Sequence, residues 1–488
     1  MTDTRWFGHP RGLSTLFFTE MWERFSYYGM RAILVLFMTN AVATGGMGLD
    51  DVTATAIYGL YTAAVYVVAL PGGWIADHLL GLRRAVFWGG CVIAAGHFTL
   101  AIPHIIAFYV GLTLIVIGTG LLKPNVSAMV GDLYPEGGAR RDAGFSIYYM
   151  GINTGGFFGP LVCGYLGEVV DWHLGFGAAG VGMVLGLIQY SYGGRHLGAA
   201  GELRPEMSEP TQRSTAARAL VRTVEGIVGL GLIAATLQSM GVVRLSLVAF
   251  VDWTGLFIVS LAGAYLLYVV VFGGLSTVEK KRVGVIAVCF LAAACFWSGF
   301  EQAGSSMILF AGRLTDRIIG GWEMPASWLQ SVNSVFIIVL APLFSALWLW
   351  LGARNPSIPA KMGFGLIFLG IGFAVLAWGS MNATLENPVS PAWLVVTYFF
   401  HTVGELCLSP IGLSSITRLS PARYVGQMMG IWFMGAALGN LVAGRVAGLI
   451  ESLPLPQLFG SVTLFSVSAG LVLLLFTKPL KGWIGDAR

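Results

Sequence analysis

The chain has 488 residues, 56% of them apolar and only 11% charged, with a formal net charge of +4. Soluble globular chains carry about 25% charged residues, and here the apolar residues run in long blocks of the length that crosses a hydrocarbon core. A soluble enzyme with one large core is excluded, and so small a positive balance does not point to a nucleic-acid partner.

Taken in chain order, apolar blocks bounded by turn residues or charges predict helices near 13–40, 53–77, 85–103, 105–131, 143–168, 174–194 and 216–240. Seven more follow near 253–273, 281–312, 325–352, 358–380, 391–416, 424–450 and 457–477. The fold class is therefore an all-α polytopic membrane protein with fourteen transmembrane helices. The first block carries Glu20, Glu23, Arg24 and Arg31, too much charge for a cleaved signal peptide. Its spacings of 3, 4 and 7 bring Glu20, Glu23, Arg24, Tyr27 and Arg31 onto one broad helical face. The fourth block carries Lys123, followed directly by Pro124 and Asn125. The longest polar connection, about 195–215, is rich in Glu, Pro, Ser and Arg and reads as a cytoplasmic linker. The two helices after it have no central charge. Six polar-decorated helices, two bland ones and six more predict a bundle over 1–194, a linker with two inserted helices over 195–278, and a second bundle over 279–488. In that second half the ninth helix carries Glu301 one turn beyond Trp297, and the twelfth carries Glu405 one turn before Ser409.

Basic residues set the orientation. With fourteen spans, twenty-one Lys and Arg fall on the side of the termini, against Arg244, Arg313 and Arg317 on the other. The positive-inside rule then puts both termini in the cytoplasm. Cys91, Cys163, Cys289, Cys295 and Cys407 each sit inside an apolar block without CxxC pairing, and read as buried thiols. His401 and Glu405 lie four apart, but with no third ligand in sight His401 reads as a packed membrane histidine, and no metal site is expected. The GFGAAG run at Gly175–Gly180 opens a membrane helix with no preceding strand, so it is not read as a dinucleotide site. No Walker A sequence occurs, which argues against an ATP-driven pump. Each ionisable side chain in a span costs about 2.5–3.5 kcal/mol on insertion scales and is a functional candidate. Burying both signs merely to hold helices together is a poor route to stability. A cavity that reads a zwitterion, and takes up protons while doing so, accounts for the cost better.

The motifs carry a resemblance. Gly72-Gly-Trp-Ile-Ala-Asp77 through Gly81-Leu-Arg83-Arg84 resembles the loop between helices two and three of the major facilitator superfamily. Glu20-Met-Trp-Glu23-Arg24-Phe-Ser-Tyr27-Tyr28-Gly29 looks like the ExxER motif of the proton-dependent oligopeptide transporters. Gly118 through Ser127, with Lys123, and Phe145 through Gly155, with Tyr148, Tyr149 and Asn153, are similar to that family's fourth and fifth helices. Phe296 through Gln302, Gln330 through Asn333, Gly404 through Pro410 and Gly430 through Phe433 resemble its C-terminal half.

The resemblance implies the major facilitator fold, two six-helix bundles plus two inserted helices of the bacterial type, in a bacterial inner membrane. It implies a symporter of di- and tripeptides, not an enzyme, with protons as the coupling ion and no other cofactor. Glu20, Glu23, Arg24, Lys123 and Glu301 would couple protons, Glu301 as the carrier. Arg24, Arg31 and Lys123 would face the peptide carboxylate, and Glu405, with Ser409 beside it, the amino group. Tyr27, Tyr28, Tyr66, Asn153 and Asn333 would bond the peptide backbone, while Trp297 and Trp432 would wall side-chain pockets. Lys123 with Glu405, and Arg31 with Asp316, would be salt bridges between the two bundles. Where animal members carry a coupling histidine on the second helix, this chain has Gly59, so coupling would rest on carboxylates. Plant relatives with the same motif move nitrate, which leaves a small-anion symporter as an alternative, beside a peptide sensor that transports nothing. Glu405 favours the peptide, since a carboxylate repels a small anion.

Overall fold

The computed structural model describes residues 5–136, 138–203, 210–242 and 246–485. Arg204, Arg244 and Arg488, which enter the charge asymmetry, lie outside them, as does the side chain of Pro410. The helices in chain order are α1 (Arg11–Thr39), α2 (Asp51–Ile75), α3 (Leu82–Leu100), α4 (Ile105–Asp132), α5 (Gly138–Gly164), α6 (Trp172–Gly193), α7 (Pro210–Ser239) and α8 (Leu247–Phe272). They continue with α9 (Thr277–Phe300), α10 (Ser306–Leu314), α11 (Ser331–Leu351), α12 (Ile358–Gly379), α13 (Ala392–Leu419), α14 (Val425–Gly448), α15 (Leu455–Leu475) and α16 (Thr477–Ile484).

Each predicted span falls on one of these helices except the ninth, which covers both α9 and α10. By length and composition, eleven helical stretches of described residues suffice to cross a membrane. The stretches containing α1, α3 and α5 are not among them. The α1 helix carries Glu20, Glu23, Arg24 and Arg31, α3 opens on Arg83 and Arg84, and α5 opens on Arg140, Arg141 and Asp142. Three features have no counterpart in the predicted elements. The ninth span is broken: α9 stops at Phe300, a 3-10 turn covers Glu301–Gly304, and α10 resumes at Ser306. A short ribbon pairs β1 (Ile318–Ile319) with β2 (Trp322–Glu323), antiparallel, around Gly320 and Gly321. Both glycines have positive φ, 61° and 83°, as a two-residue hairpin turn requires. Finally, α16 is a short amphipathic helix that buries Leu480 and Ile484.

The described residues form two compact units. The first comprises Met1–Ser26, Val67–Gly155 and Ala179–Trp253. Its core gathers Leu13, Leu16, Val86, Ile93, Leu122, Val126, Met129 and Met183. Helices α3 and α4 touch backbone to backbone, because a Cβ on Gly89 would stand 2.8 Å from the Gly118 carbonyl, and one on Gly118 2.6 Å from that of Gly89. Gly72 abuts the Gly120 carbonyl in the same way, seating α2 on α4. The segment after α6 is pinned by Arg83, which donates to the carbonyls of Ala200 and Gly198, and by Asp132, which accepts from the Gly201 N–H at 3.1 Å.

The second unit comprises Tyr27–Tyr66, Gly156–Ala178 and Thr254–Arg488. Small residues again set its closest crossings: Gly363 with Gly470 joins α12 to α15, Gly365 with Gly404 joins α12 to α13, and Gly59 with Gly444 joins α2 to α14. In this unit α9 starts from a capping box, in which Ser276 Oγ accepts from the Glu279 N–H and Glu279 accepts from the Ser276 N–H.

Candidate functional site

In the first unit, α1 presents three ionisable groups within one turn of each other. Glu20, Glu23 and Arg24 are 1%, 1% and 4% exposed. Arg24 Nε donates to Glu20 Oε1 at 2.7 Å and lies 3.0 Å from Glu23 Oε2, so one guanidinium serves two carboxylates. The second oxygen of Glu20 accepts from the Tyr148 hydroxyl of α5 at 2.7 Å. Gly155, further along α5, lets that helix lie directly on Met21 and Arg24 of α1, where a Cβ would collide with the Met21 carbonyl. On α4, Lys123 precedes Pro124, and Asn125 turns its amide back to the Leu121 carbonyl at 2.6 Å. Asn153 is buried, with its amide on the Tyr149 carbonyl of its own helix at 2.9 Å.

In the second unit the Arg31 guanidinium, from α1, meets Glu301 at the break between α9 and α10. Arg31 Nη1 donates to Glu301 Oε2 at 2.7 Å, and both side chains are buried. Tyr27 and Tyr28 pack their rings 5.7 and 5.2 Å from the guanidinium carbon. Tyr27 also stacks on Tyr61, with ring centroids 6.4 Å apart. Tyr58 presses on Gly304, where a Cβ would strike its hydroxyl, and this fits the helix break at that point. The resemblance implied a different partner for Arg31. Asp316 is exposed in the turn after α10, where Oδ1 accepts the Ile318 N–H at 3.1 Å, so the predicted Arg31–Asp316 bridge is replaced by Arg31–Glu301. The reason is depth: Arg31 is buried on α1 among tyrosines, and a buried guanidinium takes the buried carboxylate.

Beside that pair, Asn333 of α11 donates to Thr402 of α13 at 2.9 Å. Glu405 lies one turn on from Thr402, 9% exposed, and its Oε2 has no hydrogen-bond partner among the described residues. Ser409 Oγ and Trp297 Nε1 are likewise buried without partners among them. Trp432 of α14 is buried against Gly412, and Tyr66 belongs to the same unit. His401 packs its ring on Phe373, 4.7 Å between centroids. Among the described residues no three His, Cys, Asp or Glu side chains cluster as metal ligands.

The second unit also holds two polar ties that the sequence did not disclose. Arg313, at the end of α10, makes a bidentate pair with Asp51 at the start of α2, 2.6 and 2.8 Å. Glu451 accepts the Asp51 N–H at 2.7 Å. Glu168, just beyond α5, accepts the N–H groups of Ala326 and Ser327 at 2.7 and 2.9 Å, capping the turn that leads into α11. Trp328 Nε1 donates to the Leu161 carbonyl at 2.9 Å alongside.

Thus the structure assembles Glu20, Glu23 and Arg24 in one unit, which also holds Lys123 and Asn153. It places Tyr27, Tyr28, Arg31, Tyr66, Trp297, Glu301, Asn333, Glu405, Ser409 and Trp432 in the other. Sequence reasoning missed Tyr148, Tyr58 and Thr402 as members. Tyr148 lay within a quoted motif, but nothing in its spacing says which carboxylate its hydroxyl meets.

The profile of the POT family matches residues 83–460. A peptide transporter of Yersinia enterocolitica is 40% identical over 99% of this chain and 96% of its own length. A di-/tripeptide transporter of Lactococcus lactis subsp. cremoris is 36% identical over 100% and 99%. Among solved structures, that of a peptide transporter POT in complex with sulfate superimposes with a TM-score of 0.90 at 41% identity, over 98% of this chain and 96% of that one.

Proposed function

The chain belongs to the POT family, and we propose that it is a proton-coupled symporter of di- and tripeptides in a bacterial cell membrane. Both termini are assigned to the cytoplasm, on the charge asymmetry of the loops. No bond is made or broken in the substrate, and the inward proton gradient supplies the work. Two six-helix bundles would alternate in exposing the peptide to either side.

One observation carries the coupling: Glu301 holds Arg31 at 2.7 Å in a buried pair. A proton that settles on Glu301 neutralises it and releases the guanidinium, which then has an incentive to take another anion. The peptide carboxylate is that anion, with Arg24 and Lys123 adding positive charge. Glu405, with a carboxylate oxygen unsatisfied among the described residues, suits the peptide ammonium, and Ser409 and Asn333 offer further hydrogen bonds. Tyr27, Tyr28, Tyr66 and Asn153 supply polar edges for the backbone, and Trp297 and Trp432 apolar walls for the side chains. Lys123 and Glu405, of opposite charge, would pair at one stage of the cycle, as the resemblance implies. Proton loss on the low-proton side would restore Arg31–Glu301 and reset the carrier.

The test is uptake of labelled dialanine into proteoliposomes containing the purified protein, with and without an inward proton gradient. Accumulation only with the gradient supports the reading. Gradient-driven uptake of nitrate that dialanine does not compete would replace it with the anion reading.

A further inference from the structure

Glu20 is committed at both oxygens. Oε1 accepts from Arg24, and Oε2 accepts from Tyr148 at 2.7 Å. Tyr148 is 4% exposed, deep in the apolar core of the first unit beside Leu122 and Val126. A phenylalanine would satisfy that core, and a hydroxyl there is costly unless it is bonded. The hydroxyl has two neighbours. Besides Glu20 it lies 3.2 Å from Ser127 Oγ of α4, one turn beyond Lys123. A phenol has one proton, and in this structure it goes to Glu20, so Ser127 donates to Tyr148. Ser127, Tyr148, Glu20, Arg24 and Glu23 therefore form one chain of polar contacts across α4, α5 and α1.

We propose that Tyr148 is a positioning residue for proton coupling, whose hydroxyl ties the protonation of Glu20 to the helix that carries Lys123. This rests on the reading of the chain as a proton-coupled carrier. With Glu20 ionised, Tyr148 donates to it. When a proton binds Glu20 Oε2, the new O–H needs an acceptor, and the Tyr148 oxygen is the one in place. The Tyr148 O–H must then turn, and Ser127 Oγ is the acceptor within reach. One proton is gained at Glu20 and no other covalent bond breaks; the Glu20–Tyr148 and Tyr148–Ser127 hydrogen bonds both reverse, and the Ser127 O–H is left to the Lys123 carbonyl, 3.5 Å away. The groups facing Glu20 are Arg24 and Glu23 on its own helix and Tyr148 from α5; from α4, Ser127 meets Tyr148 and Lys123 acts on Glu23. From α6, Gln189 meets Thr19 at 3.2 Å, one residue before Glu20.

The experiment is Tyr148→Phe in proteoliposomes. It measures dialanine accumulation under an inward proton gradient across a series of external pH values, and dialanine counterflow with no gradient. The variant keeps the ring and its packing and removes only the hydroxyl. An ionised carboxylate deprived of a donor holds its next proton more readily. The external proton concentration for half-maximal driven uptake should therefore fall about tenfold, the worth of one hydrogen bond to a charged group. Counterflow should stay within about twofold of the parent. Ser127→Ala should move the driven profile less, because its bond to Tyr148 is the longer one, and it serves as the second test if the phenylalanine variant folds poorly. Profiles of both variants that superimpose on the parent overturn the inference. Equal loss of driven uptake and counterflow in folded protein also overturns it, by making Tyr148 a structural residue. A parent with no gradient-driven uptake overturns the functional reading itself, and this inference with it.

Discussion

Arg31 and Glu301 lie 2.7 Å apart at the point where α9 gives way to a 3-10 turn, with the Arg31 side chain 8% and that of Glu301 4% exposed. Removing one partner from such a pair leaves a buried, uncompensated charge at a cost of about 3–5 kcal/mol. The pair is thus held firmly while both charges last, and under the proposed coupling a proton on Glu301 would undo it.

Glu301→Gln should lower gradient-driven dialanine accumulation at least tenfold while gradient-free counterflow persists. Because it strands Arg31, it should also lower the apparent melting temperature. Arg31→Met combined with Glu301→Gln should recover part of that loss. Normal accumulation by Glu301→Gln would remove Glu301 from the role of proton carrier.

Asp51→Asn should weaken the tie between α2 and α10. Arg313 is 42% exposed at its side chain, so solvent screens the pair and its worth is on the order of 1 kcal/mol despite bidentate geometry. A charge reversal, Asp51→Arg with Arg313→Asp, should restore melting behaviour toward the parent, and either single reversal should not. Thermal unfolding of the parent and the four variants in one detergent decides it.

Gly59→Ala should destabilise the protein by about 1–3 kcal/mol, the usual cost of overpacking. A Cβ at Gly59 would stand 2.9 Å from the Asn440 carbonyl and 3.0 Å from the Gly444 Cα, and these are backbone atoms that cannot swing aside. A histidine at this position would meet the same contacts at its Cβ. Measured by thermal unfolding, Gly59→Ala should fall well below an exposed-glycine control such as Gly226→Ala, whose Cβ would meet nothing.

His9 supplies a pH dependence outside the membrane helices. Its Nδ1 lies 2.8 Å from the Tyr134 hydroxyl. Burial, reinforced by Arg140, holds the imidazole below its usual 6.5. A lowered value in the folded protein means stability that is present above pH 6.5 and is lost as pH falls through the folded value. Wild type should therefore lose more melting temperature between pH 7.5 and 5.5 than His9→Gln does, by a degree or two. Equal losses would sink the assignment.

The helices were legible because hydrophobic length is a local property: each of the predicted spans but the ninth falls on one helix, and even the charged α1 was identified. The ExxER cluster was legible too, since i, i+3 and i+4 spacing on one helix fixes neighbours. Pairing between distant segments was not. Arg31 could have met Asp316 or Glu301 on spacing alone, and only burial decides, because Asp316 faces solvent beyond α10. Asp51 and Glu168 carry no local sign of their partners, which lie 262 and 158 residues away. The α9 break escaped because the run from Val283 to Phe310 is continuously apolar apart from Glu301 and its polar neighbours. Gly304 marks the break only once Tyr58 is seen against it.

The β1–β2 ribbon gives the experimenter a handle. Gly320 and Gly321 stand at its tip, where a methyl added to either would meet nothing within 4 Å, and Ile318, Ile319 and Trp322 beside them are exposed. A tight hairpin whose tip touches nothing is where inserted sequence is best tolerated. An epitope spliced between the two glycines would give an antibody or a fluorophore a grip on the transporter, remote in sequence from the α1 charge cluster, for purification or for following single molecules through the cycle.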